Sequence, residues 1–172
     1  MAVDLNPSIP RVEAWDPKTN RIGASREHYQ RVSPWSPQAR QQITQLYQDL
    51  ARYSMFRGIL FHDDAMLTDF EDASPVAMDA YHEAGFNGTI GDIRSNPETF
   101  QRWTRYKSRY LIDFTRSLTD AVRDIRGPFV KTSRNIYAMP VLEPESEAWF
   151  AQNMNDFLST YDWVAPMAMP LM

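Results

Sequence analysis

The stretch Gly58-Ile59-Leu60-Phe61-His62-Asp63-Asp64-Ala65 is an apolar run that ends in three polar, titratable residues. A short apolar run predicts a strand, because a strand that is covered on both faces need not alternate apolar and polar residues. Ile59 is β-branched and Phe61 is aromatic, and both side chains favour a strand over a helical turn. We therefore predict a strand that is buried on both faces and ends just before His62.

Asp63 and Asp64 lie where this predicted strand leaves the core. In parallel α/β proteins that position is the carboxyl edge of the sheet, where ligands bind and catalytic groups gather. Two adjacent carboxylates beside His62 lose hydration and repel each other there, a cost that points to a use. The spacing leaves open a catalytic pair, a structural cap and a divalent metal site, although it matches no strong metal-ligand motif.

The composition is that of a moderately acidic globular protein. With 172 residues, of which 43% are hydrophobic, the chain can form a substantial core. Its net charge of −4 argues against nucleic acid as a partner, since phosphate binding requires a basic surface. Cysteine is absent, which excludes a thiol nucleophile, a disulfide framework and a zinc-thiolate site. No apolar run reaches the ~20 residues of a membrane helix, and no signal peptide is recognisable.

Both ends of the chain have the composition of buried strands. Residues 1–5 resemble the middle of a strand, and residues 164–172 form an apolar run that stops abruptly. Because natural termini usually lie at the surface, we expect this chain to be a fragment that is truncated at both ends.

Caps, breaks and periodic apolar positions predict the remaining elements. A serine or asparagine followed by proline is typical of a helix start, and glycine is typical of a helix end. Residues 6–34 are rich in proline and turn residues, and we predict a long irregular loop there. We predict helices that begin at Ser36-Pro37, Ser74-Pro75, Asn96-Pro97 and Pro144-Glu145. The helix that begins at Asn96-Pro97 is predicted to end at Gly127-Pro128, and a strand is predicted over residues 131–137.

Strands that alternate with helices imply a parallel sheet with right-handed crossovers. A doubly wound sheet would carry a glycine-rich phosphate turn after an early strand, and the sequence has none. Four predicted strands are about half of the eight that a closed (β/α)8 barrel needs. The predicted fold is therefore α/β, a partial (β/α)8 TIM barrel, with residues 1–172 forming a fragment of a single domain.

Further candidates for a binding site lie in the C-terminal part of the third predicted strand and just after it. Arg134, Asn135 and Tyr137 could orient a sugar or a catalytic carboxylate at its carboxyl end. Arg134 could equally pair with an acidic residue at a barrel rim. Glu143 is a possible second carboxylate, or else part of the cap of the helix that begins at Pro144.

Aromatic side chains are frequent, and sugars stack their apolar faces on such rings. Trp35 lies in the long loop, and we predict that it contacts substrate. Trp103, Trp149 and Phe157 fit helical core stripes and are predicted to be buried.

Four motifs together resemble one known family. They are residues 58–65, Asp69-Phe70-Glu71-Asp72, residues 132–138 with the sequence TSRNIYA, and residues 165–170 with the sequence APMAMP. These motifs are similar to the C-terminal glycoside hydrolase domain of the PgaB family of poly-β-1,6-N-acetyl-D-glucosamine N-deacetylases. The resemblance runs through essentially the whole chain in order.

The resemblance implies a (β/α)8 glycoside hydrolase domain that binds and cleaves partially deacetylated β-1,6-glucosamine polysaccharide in biofilm export. It assigns deacetylation and its metal to a separate N-terminal domain, so no metal and no cofactor are expected in this chain. It also implies a periplasmic protein that is attached to the outer membrane by a lipid anchor outside this chain. The alternative is a non-catalytic binding module for the cationic polymer.

Within the family's His-Asp-Asp motif an aspartate is catalytic, and the motif maps here onto Asp63 or Asp64. From the resemblance we expect Asp64 to be the catalytic acid, with Asp63 orienting it or binding a glucosamine ammonium. His62 is expected to contact the substrate. A carboxylate-lined groove would also select a cationic free amine over an acetylated sugar.

Overall fold

The computed structural model describes residues 8–25 and 30–168, which form two compact units. Unit 1 comprises the described residues up to 42 together with residues 70–103. Unit 2 comprises residues 43–69 and the described residues from 104 onward. The strand predicted at residues 1–5 and the last part of the apolar run, residues 169–172, lie outside the described residues.

The elements alternate between strands and helices through most of the chain. In order they are β1 Glu13–Asp16, β2 Arg21–Ala24, α1 Pro37–Tyr53, β3 Gly58–Phe61, α2 Pro75–Glu83, α3 Ile90–Ser95, α4 Pro97–Arg126, β4 Lys131–Tyr137, α5 Ala138–Leu142, a 3₁₀ turn Pro144–Ser146, α6 Glu147–Phe150, α7 Met154–Thr160 and β5 Trp163–Met167.

The predicted helix starts are confirmed for α1, α2 and α4. The Oγ of Ser36 accepts a hydrogen bond from the Ala39 N–H at 3.2 Å, which caps α1. The Oδ1 of Asn96 accepts one from the Thr99 N–H at 2.9 Å, which caps α4. Gly127 follows α4 with φ of +89°, a conformation that glycine adopts without strain.

The region predicted to be an irregular loop contains a β-hairpin instead. β1 and β2 pair antiparallel in unit 1, from Glu13 opposite Ala24 to Asp16 opposite Arg21. Each strand has only four residues, all of them half-buried or exposed, so the sequence shows no alternating apolar pattern. Asn20, with φ of 52°, helps to close the turn, because asparagine tolerates this left-handed conformation.

The helix predicted from Pro144 is broken into three short pieces. Ala151 ends α6 with φ of 50°, and Asn153 begins α7 by accepting a hydrogen bond from the Asp156 N–H at 3.1 Å. The sequence has no glycine or proline at this break, so its apolar spacing predicts a continuous helix.

α4 is the longest helix, with 30 residues. Leu111, Leu118 and Val122 are buried along it, as the helical spacing of its apolar residues predicts. Within the described parts of the chain, no helix combines the length and the apolar composition needed to cross a membrane.

Unit 2 contains a parallel sheet in the order β3-β4-β5, which confirms the predicted parallel pairing. One face of this sheet packs against helices. The buried side chains of that core are Phe61, Ile112, Leu118, Ile136, Phe157 and Tyr161.

The other face of the sheet is uncovered among the described residues of unit 2, where Leu60 is 57% and Trp163 59% exposed. The prediction that β3 is buried on both faces is therefore wrong. Its apolar and polar residues do not alternate, because an apolar residue, Leu60, occupies the uncovered face while Phe61 occupies the packed face. The observed fold is mixed α/β with three parallel strands.

Candidate functional site

The candidate site is the turn that follows β3 at the carboxyl edge of the parallel sheet. His62, Asp63 and Asp64 form this turn, and consecutive side chains differ sharply in exposure. The side chains of His62 and Asp64 are 60% and 70% exposed, whereas that of Asp63 is only 6% exposed. The turn therefore presents one carboxylate to solvent and encloses the other.

The imidazole of His62 connects the two carboxylates. Its Nδ1 contacts Oδ1 of Asp63 and lies 3.4 Å from Oδ2 of Asp64. Oδ1 of Asp63 has no hydrogen-bond partner among the described residues, so its contact with His62 is a close approach and not a hydrogen bond. One ligand atom from each of the three residues lies within 4.8 Å of the others, so the same turn could contribute ligands to a divalent cation.

Two buried side chains from other elements hold the backbone of the turn. Nη2 of Arg134, on β4, donates a hydrogen bond to the Ala65 carbonyl at 2.7 Å. Nε2 of Gln152 donates to the Asp63 carbonyl at 3.3 Å, and its Oε1 accepts from the Tyr137 N–H at 3.0 Å. Sequence reasoning missed Gln152, and no local pattern marks it, because its partner Asp63 is 89 residues away.

Arg134 is only 2% exposed, so in this arrangement it cannot reach a ligand directly. Its guanidinium lies 5.2 Å from the ring centroid of Phe157. Burial lowers the pKa of Arg134, while the charges of Tyr161, Asp63 and Tyr47 act in the opposite direction. The predicted role of Arg134 in orienting a carboxylate fits this position better than direct substrate contact.

Asn135 and Tyr137 are half-buried at the end of β4. Alternation along the strand places them on the face opposite Arg134, the face on which Leu60 is exposed. Glu143 is exposed after α5, and its N–H donates to the Met139 carbonyl. The structure thus brings Asn135 and Tyr137 to the carboxyl edge of the sheet, next to the strand that leads into the turn.

The tryptophans are distributed differently from the prediction. Trp35, in unit 1, is 4% exposed, and its ring packs edge-on against Tyr81 at 5.1 Å. A core position accounts for Trp35 without any substrate contact. Trp103 and Phe157 are buried at 0% and 2% exposure, as predicted, but the prediction for Trp149 is wrong, since its side chain is 52% exposed.

Comparison with known proteins places these features in a family. The model of hypothetical glycosyl hydrolase family 13 matches residues 1–172. The poly-β-1,6-N-acetyl-D-glucosamine N-deacetylases of Escherichia coli strain K12 and of Escherichia coli O157:H7 are each 53% identical over 167 residues. The alignment covers 97% of this chain and 25% of each deacetylase, so the chain spans about a quarter of the length of these relatives.

A solved structure supports the same assignment. The PgaB (BpsB) glycoside hydrolase domain from Bordetella bronchiseptica is 40% identical and superposes with a TM-score of 0.85. The superposition covers 97% of this chain and 46% of that one. These matches confirm the resemblance that the four sequence motifs predict.

Proposed function

This chain belongs to hypothetical glycosyl hydrolase family 13, and from that premise we propose that it is part of an endo-acting glycoside hydrolase. The proposed substrate is partially deacetylated poly-β-1,6-N-acetyl-D-glucosamine, the polysaccharide after which its relatives from Escherichia coli are named. The proposed scaffold is a (β/α)8 barrel, in which β3, β4 and β5 would form one arc.

One observation carries this proposal, namely that two carboxylates lie at the carboxyl edge of a parallel sheet in a family of glycosyl hydrolases. Asp63 and Asp64 follow β3 directly, and the neighbouring strand β4 ends in Asn135 and Tyr137. Carboxyl groups at this edge can reach a ligand lying across the strand ends, where α/β barrels bind their substrates. Most glycoside hydrolases use a pair of carboxyl groups that flank the scissile bond.

Asp64 is the proposed catalytic acid, because at 70% exposure it is the carboxyl group that a polymer can reach. It would protonate the leaving glycosidic oxygen, while a second carboxylate or the substrate's own acetamido group supports the oxocarbenium-like transition state. Asp63 is enclosed and would hold His62, which in turn lies beside Asp64. Glu143 is the proposed second carboxylate. If its carboxyl group lies about 5 Å from that of Asp64, cleavage should retain the anomeric configuration, and a separation of about 6.5–9.5 Å should give inversion.

The proposed selectivity for deacetylated sugar units rests on charge. A free glucosamine amine is cationic near neutral pH, and an ionised, exposed carboxylate other than the acid, such as Glu143, would attract it without requiring burial of an ion pair. Asn135 and Tyr137 would add hydrogen bonds to sugar hydroxyls. We place the complete protein in the periplasm, associated with the outer membrane through a lipid anchor outside this chain, where it would act on the polymer during export.

A polymer-binding module without catalysis is the second candidate, and the same exposure of Asp64 favours it. A carboxylate in contact with water can hold an ammonium group at the surface without any chemistry. Such binding would be weakened by salt, because dissolved ions screen exposed charges and the attraction decays over about 8 Å at physiological ionic strength.

The test is mass spectrometry of partially deacetylated polymer after incubation with the complete gene product that contains these residues. Asp64→Asn and Asp63→Asn are compared with Asp113→Asn, which removes the same charge from a side chain of matching exposure, 69%, on α4. We expect shorter oligomers from the parent and from Asp113→Asn. We expect about 100- to 10,000-fold slower cleavage by Asp64→Asn, the usual contribution of a general acid.

Polymer that stays intact with a folded parent would refute the hydrolase and leave the binding module. Equal losses in Asp64→Asn and Asp113→Asn would show that net charge matters rather than this turn. The same incubation after exhaustive chelation tests the cation that His62 and the two aspartates could bind. We expect cleavage to continue, and its loss with recovery on adding a divalent metal would make the hydrolase metal-dependent.

A further inference from the structure

Two fully enclosed polar side chains lie directly beneath the candidate turn. Gln152 is 0% exposed and Arg134 is 2% exposed. Neither residue contacts the substrate in the proposed hydrolysis. Burying an amide or a guanidinium costs free energy unless its hydrogen bonds are made, so each side chain must be accounted for by its contacts.

Gln152 connects the ends of two neighbouring strands. Its Nε2 donates to the Asp63 carbonyl at 3.3 Å, just past β3, and its Oε1 accepts from the Tyr137 N–H at 3.0 Å, at the end of β4. A carboxamide donates through its nitrogen and accepts through its oxygen, so this one side chain serves both backbone groups. An apolar side chain at this position would leave both backbone groups without these bonds.

Arg134 holds the other side of the turn. Its Nη2 donates to the Ala65 carbonyl at 2.7 Å, while its Nε and Nη1 have no hydrogen-bond partner among the described residues. Asp63 and Ala65 are the residues immediately before and after Asp64. The two buried donors therefore fix the backbone on both sides of the one exposed carboxylate.

The segment that carries Gln152 is itself held in place. Nη1 of Arg105 donates to both oxygens of Glu147 at 2.9 and 3.1 Å, and its Nη2 donates to Asp156 at 2.7 Å. Nδ2 of Asn153 donates to the same Glu147 carboxylate at 2.8 Å. These bonds lie on either side of residue 152, so the amide projects from a rigid support.

We propose that Gln152 and Arg134 are positioning residues that hold Asp64 at the place where it meets the polymer, by fixing the carbonyls of Asp63 and Ala65. This inference rests on the proposed function for its catalytic consequence. Displacing a reacting group by about 1 Å costs about 100-fold in rate, so fixing the turn is worth as much as a direct contact. Both residues act through Asp64 and neither needs to touch the substrate.

The test compares Gln152→Met, Arg134→Lys and Arg134→Met with Lys107→Met in the complete gene product. Lys107 is the matched control, because it is also a fully buried cation of unit 2 and donates to the carbonyl of Thr68, outside the turn. We expect kcat to fall about 100-fold in Gln152→Met and Arg134→Met with little change in KM. Arg134→Lys keeps the charge and a donor, so we expect it to recover part of the loss.

Residue-resolved hydrogen exchange gives a second measurement that needs no activity. We expect faster exchange at residues 62–66 in Gln152→Met, and at residues 67–69 in Lys107→Met. Gln152→Met should also cause no further loss of kcat in an Asp64→Asn background, because the two changes would remove the same contribution.

Unchanged exchange at residues 62–66 in a folded Gln152→Met or Arg134→Met protein would overturn the positioning role, whatever the activity. So would a loss of kcat that Lys107→Met reproduces. If the parent cleaves nothing while Gln152→Met still loosens residues 62–66, the hydrolase proposal fails and the positioning of the turn stands.

Discussion

The turn after β3 and the acidic loop of unit 1, residues 70–73, both contain carboxylates, but they use them in opposite ways. In the acidic loop Glu71 and Asp72 are 2% and 0% exposed. In the turn Asp63 is enclosed and Asp64 is 70% exposed. The two acidic stretches look similar in the sequence. Only in the acidic loop are both carboxylates enclosed by the protein.

Glu71 is held by an ion pair with Arg31. Nη2 of Arg31 donates to its two oxygens at 2.9 and 2.8 Å, and Oγ of Ser25 donates to Oε1 at 2.5 Å. Charge-assisted hydrogen bonds of this kind are stronger than bonds between neutral side chains. Glu71 therefore has a structural role within unit 1.

Asp72 serves backbone N–H groups instead of a cation. Its Oδ1 accepts from the N–H groups of Glu13 and Ser74, at 3.1 and 2.8 Å. Burial raises the pKa of Asp72, and hydrogen bonds from Ser33, Ser74 and Glu13 lower it in part. The comparison shows that partners, and not acidity of the stretch, decide which carboxylate remains available to a ligand.

The largest effect that separates the two regions is on stability. Glu71→Ala should lower the free energy of unfolding by about 3–5 kcal/mol, because it breaks an ion pair in which the side chains of Arg31 and Glu71 are only 15% and 3% exposed. Asp64→Ala should change it by less than about 0.5 kcal/mol, since that side chain is exposed. Denaturant unfolding of both variants measures the difference. Equal losses in the free energy of unfolding would show that the carboxylates of Glu71 and Asp64 contribute alike to stability.

A smaller effect comes from Asp162, a third carboxylate that is occupied by internal bonds. Hydrogen bonds from Lys131 and from the Thr132 N–H lower its pKa from 3.8 to about 2. Because the pKa is lower in the folded state, the stabilisation is present above about pH 4 and is lost as the pH falls to about 2. Thermal unfolding between pH 5 and 2 should show this loss in the parent and a shallower one in Asp162→Asn.

The smallest expected effect has the opposite sign and concerns Asp72. Its folded pKa is raised, so ionisation disfavours the folded state, and stability should increase as the pH falls through that pKa. Asp72→Asn keeps an oxygen that can accept from Glu13 and Ser74 but removes the charge, so this pH dependence should disappear.

A second measurement on the same variant uses Glu13. Its pKa is raised by burial and then by the charge of Asp72, so NMR titration should find a lower pKa for Glu13 in Asp72→Asn. An unchanged pKa for Glu13 would show that the two carboxyl groups are not electrostatically coupled.

Elements that depend on local rules are well predicted from the sequence. The strand predicted over residues 131–137 coincides with β4, and the helix between Asn96 and Gly127 coincides with α4. Proline starts, side-chain caps and glycine ends act within one turn of the chain, so they are visible in the sequence. The hairpin of β1 and β2 was missed, because its short strands gain their stability from pairing rather than from an apolar pattern.

The sequence by itself determined where the acidic turn lies, at the end of a strand in a parallel sheet. Only the tertiary structure decided that Asp63 is enclosed while Asp64 is exposed, that Trp35 is buried while Trp149 is exposed, and that Gln152 contacts the turn. The physical reason is sequence separation. Burial and hydrogen bonding at these positions are set by elements up to 89 residues away along the chain, which no local sequence pattern reveals.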